Sequence, residues 1–240
     1  MRLLPEYYRI PYDHITESHG KRYHPNFKKQ VFKQRLVITE KLDGSQVAVG
    51  FKNGRVYLQG KGSHIMARDK RHVFHGLFEW VAENSERIEK LKGKLIFGEW
   101  LRVYHNISYD LLPDWFIGFA VWDMKLQKFM DFHAGRKFIS DLGFSVVPIL
   151  YEGKIKYKDL PGLIEGRLSC YSSSHYMEGC VLMPERNPKY NQVKDQVYWI
   201  NAAKLVVQEF FNDFRETDWT SDRMTENALN RGFCDTEEKV

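Results

Sequence analysis

An α+β fold is predicted from three features of the sequence. Several short stretches alternate apolar and polar residues, which is the period of a strand. A longer stretch, 69–91, carries its apolar residues at helical spacing. The strand-like stretches come in runs rather than alternating one for one with helices, which argues against a parallel βαβ sheet. The chain of 240 residues is 43% hydrophobic and 15% aromatic, enough for one sizeable core, and its aromatics are spread along the whole length, unlike those of a disordered chain.

Residues 35–60 read as a three-strand meander: RLVITEK, SQVAVGF, an Asn53-Gly54 turn and RVYLQGK. Lys41 falls in the first connection, beside Asp43-Gly44, a common hairpin-turn dipeptide. Over 69–91, Val73, Phe74, Leu77, Phe78, Val81, Ile88 and Leu91 make the helical stripe, with Asp69 as N-cap and Gly93 as stop. KLIFGEWL (94–101) reads as a buried strand, DWFIGFAVWDM (114–124) as another, and QKFMDF (127–132) as its hairpin partner. A short helix over 134–142 precedes a strand, FSVVPIL (144–150), and 157–168 is read as helix although Pro161-Gly162 interrupts it. MEGCVLM (177–183) and QVYWINAAKLV (196–206) complete the strands. From about 204 the tail reads as helix in two pieces, broken near 217–221. The expected organisation is a main domain over 1–205 and a short helical extension over 206–240.

The net charge of +5 is compatible with a polyanionic partner without requiring one. Cys170, Cys180 and Cys234 form no CxxC pair, so a zinc site is not expected and a reducing, cytoplasmic location is. No apolar run is long enough to cross a membrane. The glycines of QGKGS (59–63) do not complete a GxxxxGK[ST] phosphate loop.

Four stretches carry the chemistry: Lys41-Leu42-Asp43-Gly44, Phe97-Gly98-Glu99-Trp100, Phe119-Ala120-Val121-Trp122-Asp123 and Glu178-Gly179-Cys180-Val181-Leu182. Each sets a charged or aromatic side chain in or beside an apolar strand. A carboxylate there must be paired or face a cleft, because burying an isolated charge is costly. Together they outline a nucleotide site with metal-binding carboxylates, a stacking aromatic and a positive group.

In this order the four stretches resemble the covalent nucleotidyltransferases, the ATP-dependent DNA and RNA ligases and mRNA capping enzymes, over roughly residues 36–206. GEWLRVYHNISYDLLPDWFIGFAVWD (98–123) is similar throughout to a segment of bacterial and phage RNA ligases. The resemblance implies an ATP-grasp-like adenylylation domain of two packed antiparallel sheets with flanking helices. It implies that Lys41 Nζ attacks the α-phosphorus of ATP to form a lysyl–AMP. The AMP then passes to a 5′-phosphate end, and a 3′-hydroxyl displaces it to seal the strand, as in RNA repair. Carried over by motif, Glu40 lies beside the adenine edge and Asp43 and Gly44 shape the loop. Lys61 lies near ribose and phosphate, Glu99 holds the ribose, and Trp122 stacks on adenine with Phe119 as the alternative. Glu178 faces Mg²⁺ or Mn²⁺. RNA ends are the implied partner, with DNA possible and no protein partner implied.

One departure stands out. The family's last motif bears a Lys-x-Lys or Lys-x-Arg pair, and the alignment sets Trp199 and Asn201 of YWINAAKLV there, with Lys204 or Lys194 as the substitutes. Without a substitute the chain becomes a non-catalytic nucleotide- or RNA-binding module. About 35 residues follow Leu205, fewer than an OB-fold needs. Gln46 stands where DNA ligases and capping enzymes carry arginine. Both features favour an RNA ligase over a minimal DNA ligase or a GTP-using capping-type enzyme.

Overall fold

A computed structural model describes residues 7–9, 12–14, 27–60, 64–65, 72–193, 196–207 and 225–230. Lys61, Asp69 and Lys194 lie outside them. Two short strands, β1 (Tyr7–Arg9) and β2 (Tyr12–His14), and the helix α1 (Phe27–Val31) precede β3 (Leu36–Glu40). The strands β4 (Ser45–Lys52) and β5 (Arg55–Gln59) form a hairpin about Asn53-Gly54. Both turn residues are left-handed, at φ 53° and 72°, as such hairpins require. Helices α2 (Leu77–Glu83) and α3 (Ser85–Glu89) lead into β6 (Lys94–Trp100), β7 (Phe116–Asp123) and β8 (Lys128–Phe129). Then come α4 (Phe132–Asp141), β9 (Ser145–Val146), β10 (Ile149–Gly153) and α5 (Pro161–Ile164). The last strands are β11 (Gly179–Pro184), β12 (Tyr190–Val193), β13 (Gln196–Trp199) and β14 (Ala203–Val206).

One sheet has five strands in the order β10-β3-β11-β14-β2, antiparallel apart from the β14–β2 pair. The other runs β5-β4-β6-β7-β8, with β9 added parallel to β7. β1, β13 and β12 make a small third sheet. Because side chains alternate along a strand, each large sheet has two apolar faces. Their inner faces meet where Val37 and Met183 pack on Ala48, Leu95, Phe97 and Trp122. Outside, Val47, Val49 and Ile96 are covered by Leu77, Trp80 and Ile88 of the helices. On the far side, Leu36, Ile38 and Leu205 are covered by Leu160 and Ile164. This is the expected α+β architecture of two packed sheets with flanking helices.

The connections depart from expectation, and the departures build the site. The meander read over 35–60 does not exist as such: β3 pairs with β10 and β11, whereas β4 and β5 belong to the other sheet. Residues 41–44 are a crossover between sheets rather than a hairpin turn. Gly44 is not left-handed; glycine is required because a Cβ would lie 2.6 Å from both Trp100 O and Leu101 Cδ2. Likewise the strand read over 144–150 splits at Val147-Pro148 into β9 and β10, one in each sheet. The two crossovers touch, with Glu40 N–H donating to Pro148 O at 3.0 Å.

Smaller corrections follow from backbone breaks. The helix read over 69–91 is divided at Gly76, whose φ is 73°, and at Asn84. QVYWINAAKLV is two strands in two sheets, and Lys204 lies within β14 rather than in a helix. In the tail, 225–230 is extended, bridging Val103 to Glu226 and Leu112 to Leu229. Among the described residues, no helix is long and apolar enough to cross a membrane.

Candidate active site

The crossover out of β3 is pinned on every side. Lys41 N–H donates to Gly179 O at 3.0 Å. Leu42 is buried with Leu101, Ile107, Tyr109 and Leu112. Asp43 N–H donates to Tyr109 Oη at 2.8 Å, and Asp43 Oδ2 accepts Asn106 N–H at 2.8 Å. Lys41 is thereby held between the sheets, where its Nζ donates to Glu178 Oε2 in an ion pair that is 17% and 7% exposed. Glu178 precedes β11 at a tight approach: a Cβ on Gly179 would lie 1.9 Å from Leu205 O.

Glu99 joins this pair from the opposite sheet. It lies opposite Gln46 and Ile117, on the face of β6 that Leu95 and Phe97 present to the other sheet. Burial pushes its pKa up to about 8; Lys41 and Lys204 pull it down, while Asp43 and Glu178 push it further up. Glu178 is likewise raised, by burial first, with Lys41 opposing. Lys204, opposite Val181 on β14, acts on both carboxylates. The site thus gathers Asp43, Glu99 and Glu178 around two lysines, and burial favours the protonated form of Glu99 and Glu178.

The remaining expected residues divide. Glu40 is buried with its carboxylate engaged on the far loop, accepting from Ser169 Oγ and from Cys170 N–H at 2.9 Å. It ties that loop to β3, and only its backbone borders Lys41. Trp122 is fully buried, with its ring edge-on to Phe129 at 4.9 Å and its Nε1 lacking a hydrogen-bond partner. It pairs with Leu95, four residues and about 13 Å along the strand from Glu99. No face is left for a base, so Trp122 is a core residue here. Phe119 is half-buried at the bulge where β6 and β7 change register, and borders an apolar recess with Ala120, Phe129, Met183 and Trp199. That recess does not include Lys41, Glu99 or Glu178.

Asn201, expected in the basic pair's place, is instead a buried knot: its Oδ1 accepts Lys189 N–H at 2.8 Å and its Nδ2 donates to Gln34 Oε1 at 3.0 Å. Trp199 packs on Phe129 and Tyr190.

The model of one family, described as RNA ligase, matches residues 34–216. The chain belongs to the RNA ligase family. Among solved structures it is similar to the Naegleria gruberi RNA ligase with PPi, at 16% identity and a TM-score of 0.60, over 85% of this chain and 59% of that one. A lysine-to-alanine mutant of that ligase, with ATP and Mn, aligns at 15% identity and a TM-score of 0.59, covering 80% of this chain and 55% of that one. A lysine-to-methionine mutant with AMP and Mn aligns at 14% and 0.56, with the same coverage. The chain spans less than two thirds of the length of these structures. No curated protein matches it.

In this RNA ligase family chain, β14 and the residues flanking it alternate between the two cores. Ala203, Leu205 and Val207 pack into the outer core, whereas Ala202 packs between the sheets. Lys204 shares the inner face of the strand with Ala202. Sequence reading missed Tyr109, which holds the crossover through its hydroxyl; a tyrosine in an irregular stretch carries no period that would mark it.

Proposed function

We propose that this chain is an ATP-dependent RNA ligase acting through a lysyl–AMP on Lys41. The observation that carries the reading is the convergence of Lys41, Glu178, Glu99 and Lys204 in the cleft between the two sheets, in a member of the RNA ligase family. Lys41 Nζ, as the neutral amine, attacks the α-phosphorus of ATP, and the bond to pyrophosphate breaks. The adenylate is then passed to an RNA 5′-phosphate, and a 3′-hydroxyl displaces AMP to form the phosphodiester. Glu178 holds the amine in line, Glu99 takes the ribose hydroxyls, and Phe119 offers the stacking face for adenine.

The donor set fits a hard divalent cation such as Mg²⁺ or Mn²⁺. Its carboxyl oxygens are hard donors set close to two lysines, and the relatives with ATP or AMP contain Mn. Among the described residues no three His, Cys, Asp or Glu side chains form a metal cage, so in this reading Glu178 would hold the cation only together with phosphate oxygens. Such an ion would neutralise phosphate charge. Lys204 serves the same phosphates from β14. A cytoplasmic setting accords with the free thiols of Cys170 and Cys180.

Trp199 and Asn201, both buried where the resemblance expected a basic pair, favour one second reading, a nucleotide- or RNA-binding module without transfer chemistry. A joining assay separates the two, using RNA and DNA strands with 5′-phosphate and 3′-hydroxyl ends and either ATP or GTP. Sealing of RNA with ATP alone is expected. Nucleotide binding with neither sealing nor covalent adenylate would favour the module, and sealing driven by GTP would remove the ATP assignment.

A further inference from the structure

Residues 225–230 lie beyond the stretch matched to the family, 34–216, yet they are stitched to the loop after β6. Tyr104 N–H donates to Thr225 O at 2.8 Å, and Asn227 N–H to Arg102 O at 2.9 Å. Asn230 N–H donates to Leu112 O at 2.8 Å. The buried Asn227 side chain uses both ends: Oδ1 accepts Tyr109 N–H at 2.9 Å, and Nδ2 donates to Leu101 O at 2.6 Å. Leu229 packs on the cluster that holds Leu42, Leu101 and Tyr109.

These contacts reach Lys41. Three backbone N–H groups fix the chain around it. Those of Glu40 and Lys41 are taken by Pro148 O, between β9 and β10, and by Gly179 O, at the start of β11. The third, of Asp43, is taken by the Tyr109 hydroxyl. Tyr109 lies in an irregular loop, so no sheet ladder fixes it. Its N–H is bound by Asn227 Oδ1 and its C=O by Ala228 N–H at 2.8 Å. Both backbone groups of Tyr109 are therefore held by the 225–230 segment.

We propose that Asn227, acting through Tyr109, is a positioning residue for Lys41: the 225–230 segment fixes the Tyr109 hydroxyl, which fixes the Asp43 amide and the reach of the amine into the cleft. The proposal rests on Lys41 being the nucleophile. A nucleophile displaced by about an ångström loses on the order of 10–100-fold in rate, whereas ground-state binding of ATP, which does not depend on that reach, is spared.

The test uses the full chain as wild type, Tyr109→Phe, Asn227→Ala and the double variant. Tyr109→Phe keeps the buried ring and removes only the acceptor of the Asp43 N–H. Single-turnover lysyl–AMP formation, normalised to folded protein, is expected to slow about 10–100-fold in each variant, with half-saturating ATP changed less than about threefold. Because both residues act through one contact, the double variant is expected to be no slower than the worse single. Amide hydrogen exchange at Asp43 is expected to accelerate in all three. Wild-type rates with unchanged Asp43 exchange in Tyr109→Phe would overturn the proposal alone. Losses that multiply in the double variant would overturn it too, since Asn227 would then act separately. A wild type that forms no lysyl–AMP would overturn the ligase reading together with it. If Asn227→Ala fails to fold, the rate and exchange of Tyr109→Phe decide the matter.

Discussion

Burial lifts the Glu99 pKa from 4.5 to about 8, and the sign of its effect on stability follows from linkage. Below pH 4.5 the carboxyl is protonated whether the chain is folded or not, so it contributes no penalty. Between 4.5 and about 8 the unfolded chain releases the proton while the folded one keeps it, and stability falls as pH rises. Glu99→Gln removes the penalty: the ligand-free Tm should rise by several degrees or more at pH 8 and hardly change near pH 4.5, as thermal melts across that range would record. A wild-type-like pH dependence in the variant would mean that Glu99 does not titrate as a buried group. The two aromatics of β7 separate as clearly. Phe119→Ala should raise half-saturating ATP about tenfold, whereas Trp122→Phe should leave it within about twofold, the loss of one base-stacking face being the difference; ATP titrations of both variants check this. That Lys41, Glu99 and Glu178 come together was foreshadowed in the sequence, because a charge in or beside an apolar, Gly-flanked strand needs a reason. Trp122 was misread because a Trp in such a strand is as well explained by the core, and only its register opposite Leu95 tells which.

The crossover at 41–44 and the strand β14 show where local reading stops. Alternation and an Asp-Gly pair identify strands and a reversal, but they do not say whether consecutive strands pair with each other. Here the partners of β3 come from 149–153 and 179–184, so the supposed hairpin turn became the bridge between sheets that presents Lys41. The same limit applied to β14. The family alignment alone left Trp199, Asn201, Lys204 and Lys194 as contenders for the basic pair. Of these, Lys204 acts on Glu99 and Glu178 and Asn201 is tied to Gln34 and Lys189, while Lys194 lies outside the described residues; Lys204 is therefore the lysine proposed for the phosphates. Lys204→Met should slow lysyl–AMP formation on the order of 10²-fold, as losing a fixed charge at a phosphate commonly does. Quenched-flow labelling with ATP measures it, and an unchanged rate would remove Lys204 from the phosphate site.

Two antiparallel sheets packed face to face give this chain a continuous inner core that ends in a charged cleft. Val37, Phe97, Trp122 and Met183 fill one stretch of the interface, and Lys41, Glu99, Glu178 and Lys204 gather farther along it. The architecture was legible because strand period and apolar content are local properties; the contribution of 225–230 was not, because it depends on contacts far apart in sequence. The claim on which everything rests is that Lys41 becomes adenylylated. The most direct measurement incubates the full chain with α-labelled ATP and Mg²⁺, digests it and maps the label. One AMP in phosphoramidate linkage on Lys41 is the predicted result, lost in a Lys41→Ala variant that keeps the wild-type circular dichroism. Label mapped to another residue, label persisting in Lys41→Ala, or an ATP-bound wild type that takes up none would contradict it.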